Sequence, residues 1–166
     1  DLAPTLLDYF DIEQPPGVQG KPISQAVRAN DKIRAASLYG VMGGQVNVTD
    51  GRYVYMRGHV TKDNTPLYDY TLMPTHMRSL FSTRELQQWD KFEGFSFLKG
   101  CPVMRIPTRT PRTFLRDDHP VGKGKRVTLL FDIEQDPGQT NPLTDVIIEA
   151  RMIRLMLVEM ARNECP

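Results

Sequence analysis

Cysteine is scarce in this sequence: Cys101 and Cys165 are the only two among 166 residues. Two thiols are too few for the disulfide framework of a small secreted domain and lack the close spacing of a zinc site, so they leave the redox compartment open. An excess of charge of either sign is also lacking. Lys and Arg total 21 against 20 Asp and Glu, a formal net charge of +1, and the basic surplus of a dedicated nucleic-acid binder is missing. No apolar run approaches the roughly 20 residues of a hydrophobic membrane-spanning helix. The first residues carry none of the basic, apolar and small-residue zones of a secretory signal. Neither a nucleic acid nor a membrane is therefore expected as a partner, and partners must be argued from sites.

Metal and nucleotide motifs are equally thin. His59, His76 and His119 are scattered, with no HExxH pair and no neighbouring Cys, which gives metal ligation little support. Gly40, Gly43 and Gly44 are not followed by Gly-Lys-Ser/Thr, which excludes a P-loop; glycines there serve a bulge or a close approach of two backbones. The adjacent Asp117 and Asp118 form no acid/base dyad on one predictable element.

What is present is a mixed pattern on one domain-sized chain. Leu2, Leu6, Leu7 and Phe10 make a helical stripe over Asp1–Phe10, with Pro4 tolerated in the first turn. Pro15-Pro16-Gly17 and Gly20-Lys21-Pro22 predict a connector over Gln14–Ser24. Between Ala35 and Val60 the pattern turns to strands, and Asp50-Gly51 between Val46, Val48 and Tyr53–Met56 is a strong hairpin signal. Leu67–Met73 is a further strand, Thr83–Trp89 a short helix capped by Ser82 or Thr83, and Val127–Ile133 a buried strand. Residues 94–126 predict an irregular excursion with a strand near Val103–Ile106. Leu143–Asn163 is the strongest helix signal, capped by Thr144 or Asp145, with Val146, Ala150, Ile153, Leu157 and Met160 at spacings of three and four. Ile148, Met152 and Met156 make it apolar on more than one side. The fold class predicted is α+β.

Two places could carry ligand chemistry. His76 and Thr75 follow Met73-Pro74, where a strand end meets a turn and a scaffold can present side chains to a cleft; the alternative is a His that hydrogen-bonds its own loop. Arg105 opens a basic stretch with Arg109, Arg112, Arg116, Lys123, Lys125 and Arg126 against Asp117 and Asp118 only. Arginine forks suit sulfate or phosphate oxygens, so this stretch is a candidate anionic rim; the alternative is a solvated loop paired with surface carboxylates. Cys101 is followed at once by Pro102 and then by Val-Met-Arg105, which departs from the Cys-x-Pro-x-Arg spacing that formylglycine formation uses. Cys101 therefore reads as an ordinary thiol.

Three segments resemble the sulfatase family of the alkaline-phosphatase-like superfamily. Asp1-Leu-Ala-Pro-Thr-Leu-Leu-Asp8 followed by Pro16-Gly-Val-Gln-Gly-Lys-Pro22 is similar to the family's last catalytic-domain helix and the loop after it. Val48-Thr-Asp-Gly-Arg-Tyr-Val-Tyr55 is similar to a family strand turn, and Leu130-Phe-Asp-Ile-Glu-Gln-Asp-Pro-Gly-Gln139 to the signature before the terminal helix. The resemblance implies that residues 1–23 end a catalytic domain and residues 24–166 form the C-terminal subdomain, an antiparallel sheet of about four strands under a long final helix. It also implies a formylglycine nucleophile and a calcium ion in the larger enzyme, neither of whose motifs lies in this sequence, so no catalytic or metal residue is carried over.

Together these readings predict the C-terminal part of a sulfuric ester hydrolase, inactive alone, packed on its own catalytic domain. Thr75, His76 and Arg105 would stand at the rim for a small sulfate ester. A phosphoric or phosphonic ester is the alternative substrate. A non-catalytic binding or oligomerisation module, engaging a second copy or another chain through the terminal helix, is the alternative function.

Overall fold

A computed structural model describes residues 1–61, 64–108 and 127–165. They divide into two compact units, Asp1–Ala35 and Ala36–Pro166.

In the first unit the expected stripe forms helix α1 (Leu2–Tyr9), with Pro4 buried in its first turn. The connector folds back on this helix. The Asp1 carboxylate accepts the Lys21 N–H at 3.0 Å and pairs with Arg34, while Thr5 Oγ1 accepts the Ile23 N–H at 3.1 Å. A second helix, α2 (Ser24–Ala29), follows the connector. Its six residues show no periodicity and no side chain caps its N-terminus, so little in the sequence announces it.

The second unit is α+β. Its larger sheet has four antiparallel strands in the order β1 (Ser37–Gly40), β2 (Val46–Thr49), β3 (Tyr53–Arg57) and then β7 (Leu129–Asp132). The β2–β3 hairpin closes where Asp50-Gly51 predicts. Gly51 takes φ +96°, and Asp50 Oδ1 accepts the N–H groups of Arg52 and Tyr53 at 3.0 and 2.7 Å. The terminal helix α4 (Val146–Arg162) lies over β1, β2 and β3. It starts three residues after Leu143, whose N–H bonds to the Leu130 carbonyl at 2.7 Å. Asp145 caps it, Oδ1 accepting the N–H groups of Ile147 and Ile148 at 2.9 Å each.

The core between helix and sheet is small. Val48, Tyr55, Leu130, Met152 and Met156 are buried together, with Ile148, Ile153 and Met160 packed around them. Burying these apolar side chains is the main stabilising contribution in this layer.

A second sheet is a structural feature that the sequence did not announce. Strands β4 (Tyr68–Thr71), β6 (Val103–Pro107) and β5 (Asp90–Phe92) pair antiparallel in that order. β4 and β6 fall where strands are predicted. β5 does not, since Asp-Lys-Phe is too short and too polar to signal one. Helix α3 (Thr83–Leu86) carries a full capping box between Ser82 and Glu85.

Candidate functional site

Arg105 sits on the central strand of the smaller sheet, directly opposite Tyr70 on β4 and Asp90 on β5. Residues two apart on a strand share a face, so Tyr68, Tyr70, Asp90, Phe92 and Arg105 all stand on one side of this sheet. The placement explains the contacts. Arg105 Nε donates to Asp90 Oδ1 at 2.8 Å and Nη2 to Oδ2 at 2.5 Å, a parallel two-pronged pair. The guanidinium also lies 5.0 Å from the Tyr68 ring centre and 6.0 Å from that of Phe92. The Arg105 hydrogen bond holds the Asp90 carboxyl below the usual carboxylate range, and Asp90 in turn raises Arg105 further above its ordinary value.

Around this pair the sheet opens into a groove of about 690 Å³ whose wall includes Tyr68, Tyr70, Phe92, Phe95, Arg105 and Glu164. Tyr70, Phe92 and Phe95 meet with ring centres 5.2 Å apart in each pairing, and Phe97 stacks on Phe95 at 5.2 Å. At the rim the Glu164 carboxylate accepts the Ser96 N–H at 2.7 Å, at the start of a 3-10 turn over Ser96–Leu98. The groove offers an aromatic floor for a flat apolar group and a fixed cation beside it. Among the described residues, its lining includes no Ser/Thr/Cys–His pair of the kind that supplies a nucleophile.

His76 belongs to a different cluster. Thr75 bridges to Leu80, and the His76 N–H donates to the Ser79 carbonyl at 2.7 Å, which makes the segment a tight exposed loop. The imidazole stacks 3.8 Å from the centre of Phe81, and its Nε2 lies 3.0 Å from Glu85 Oε1. Glu85 accepts the Ser82 hydroxyl at 2.6 Å and the Ser82 N–H at 2.7 Å. The Ser82 hydroxyl, then its N–H, then His76 pull the Glu85 carboxyl down to about 2. His76 thus braces the loop against the start of α3, while Thr75 leaves its side chain in an exposed position.

The remaining candidates separate. His59 Nε2 lies 3.2 Å from the Gly44 carbonyl oxygen beside a pocket of about 200 Å³. Cys101 and Cys165 are both exposed. His119 and the basic residues from Arg109 to Arg126 lie outside the described residues. Among the described residues no group of three or more His, Cys, Asp or Glu could hold a metal ion. Cys101 lies outside a Cys-x-Pro-x-Arg motif, and among the described residues none fits a formylglycine or a calcium site.

Sequence reasoning singled out Arg105 but missed Asp90, Phe92, Phe95 and Glu164, which complete its surroundings. The Tyr68-x-Tyr70 alternation and the closely spaced Phe92, Phe95 and Phe97 are the signals that could have found them. Comparison of the sequence with protein-family models and with curated proteins finds no match.

Proposed function

We propose that this chain forms the C-terminal subdomain of a sulfatase-type ester hydrolase and shapes the substrate entrance rather than performing the bond cleavage. The reading rests on the resemblance of three segments and on one observation above all. Two of those segments, 80 residues apart, meet in one ion-paired joint: Tyr53 stands opposite Asp132 across β3 and β7, and Arg52 donates to Asp132 at 2.9 and 3.1 Å.

In this reading the nucleophile and the metal belong to the rest of the enzyme: a formylglycine there would supply the nucleophile and a calcium ion the positive charge for the ester oxygens. This chain contributes binding. The aromatic floor takes the organic group of the ester, and Arg105, held in place and charge-balanced by Asp90, offers its remaining guanidinium N–H groups beside it. His76 and Thr75, in a separate loop that His76 braces against Glu85 and Phe81, would form another part of the entrance. The same arrangement serves a phosphoric or phosphonic ester.

The test is an assay of the larger polypeptide that carries this sequence, with an aryl sulfate, a phosphate monoester and a phosphonate monoester as substrates. Sulfate ester hydrolysis that Arg105→Ala weakens through KM supports the reading. Turnover by residues 1–166 alone, or a larger polypeptide without ester hydrolase activity, overturns it.

A further inference from the structure

Helix α4 is apolar on two sides, and among the described residues only one of them is covered. Met152 and Met156 face the sheet at 0 % and 5 % exposure. On the other side Val146, Ile147, Leu157 and Val158 are 79 %, 83 %, 60 % and 57 % exposed. At about 100° per residue, Val146 and Leu157 fall about 20° apart, as do Ile147 and Val158, so the four bound a stripe about 120° wide. Ala150 and Ala161 lie within it and are also exposed. A surface helix normally sets charged and polar residues on that side. Here the stripe extends along a helix about 25 Å long with one cation in it, Arg154.

Arg154 decides what can cover this face. It is the central residue of the 17 in α4, and among the described residues it makes no ion pair. A second copy packed antiparallel about a two-fold axis at the helix centre would set Arg154 against its own counterpart. Two guanidinium groups would then be desolvated without a counter-charge, an unfavourable arrangement. A partner with a carboxylate at the matching position removes that penalty and gains a charge-assisted hydrogen bond. The small Ala150 and Ala161 on either side let a second helix approach to the usual axis separation of about 8–10 Å.

We propose that the outer face of α4 docks an amphipathic helix of another protein surface, apolar along its contact stripe and carrying one acidic residue opposite Arg154. Shape and apolar area give the affinity, and the Arg154 pairing gives the choice of partner.

Two designed amphipathic helical peptides test this, identical except for Glu or Lys at the centre of the apolar stripe. Binding to the full 166-residue chain is measured by titration calorimetry. The Glu peptide is expected to bind at least about tenfold tighter than the Lys peptide. Arg154→Glu should reverse that order, and Leu157→Asp should abolish both interactions. Circular dichroism checks that each variant stays folded, with Ile147→Asp as a second disruption of the same stripe. Failure of both peptides to bind, or a preference that ignores Arg154→Glu, overturns the proposal. So does a homodimer in sedimentation that Leu157→Asp dissociates, since the second copy would then be the occupant.

Discussion

Arg52 and Asp132 are 80 residues apart in the chain, and their side chains meet at 2.9 Å across the β3–β7 pairing. Asp132 is buried, its second oxygen accepts the Glu134 N–H at 3.1 Å, and Arg52 also reaches Glu134 at 3.5 Å. The Arg52 hydrogen bond is the chief reason that the Asp132 carboxyl lies below its ordinary value.

Removing that partner should matter more than an ordinary surface change. Arg52→Leu leaves a buried carboxylate without its cation, and a fall in Tm of roughly 5–10 °C is expected at neutral pH. Because the folded-state value of Asp132 is lowered, its contribution is present above the ordinary carboxylate range and is lost as pH falls through the depressed value. The Tm difference between wild type and Arg52→Leu should therefore shrink in acid. A difference that stays constant down to pH 2 would contradict this assignment.

The Glu85 clasp gives a sharper titration. Its carboxyl lies at about 2 against an ordinary 4.5, so the stability it adds is full above 4.5 and disappears only as pH falls through about 2. Ser82→Ala removes the largest cause of the shift and should move the Glu85 titration, followed by carboxyl NMR, back toward 4.5. An unchanged titration would mean that the capping box does not hold Glu85 in this way.

Core and outer face of α4 should respond in opposite ways. Met152→Ala opens a cavity beneath the helix and should cost about 2–5 kcal/mol in denaturant unfolding. Leu157→Ala, on the exposed side of the same helix, should stay within about 0.5 kcal/mol. Equal losses would mean that the helix face is assigned wrongly.

Two glycines with similar backbone angles should behave differently. Gly51 has φ +96° and no atom within 4 Å of the place a Cβ would take, so Gly51→Ala meets only the left-handed penalty of about 1–2 kcal/mol. Gly94 has φ +92°, and a Cβ there would collide with the Cys101 carbonyl oxygen. Gly94→Ala should destabilise clearly more than Gly51→Ala and disturb the groove beside Phe95. Thermal unfolding of the two variants compares them directly.

Arg105→Lys separates charge from geometry at the groove. Lysine keeps the positive charge but cannot fork onto both Asp90 oxygens as Arg105 does. If the proposed function holds, KM for an aryl ester should rise about tenfold with kcat little changed in the polypeptide that carries this sequence. A loss confined to kcat would place Arg105 in the chemical step instead.

Much of the architecture was legible because the local signals were strong. Asp50-Gly51 can close a tight hairpin almost regardless of surroundings. The spacing of Val146, Ala150, Ile153, Leu157 and Met160 announces α4 as a helix with Thr144 or Asp145 as its cap, but Val146 and Leu157 of that stripe are exposed and Met152 and Met156 are the buried residues. The smaller sheet was harder to read. Its strands are three to five residues long, and the face that matters carries Arg105 and Asp90, whose neutralisation depends on a cross-strand register no single segment encodes. His76 shows the same limit. Its sequence setting suggests either a cleft or a His that hydrogen-bonds its own loop, and its contacts with Phe81 and Glu85 appear only in the fold.

Taken alone, the order of residues determined the hairpin, the capped terminal helix and the α+β class, because turn chemistry, capping and periodicity act over a few neighbouring residues. Which face of α4 is covered, which carboxylate answers Arg105 and which cation answers Asp132 were decided by tertiary structure. Those pairings are set by strand register and packing between distant segments, and their strength depends on burial that exists only once the chain has folded.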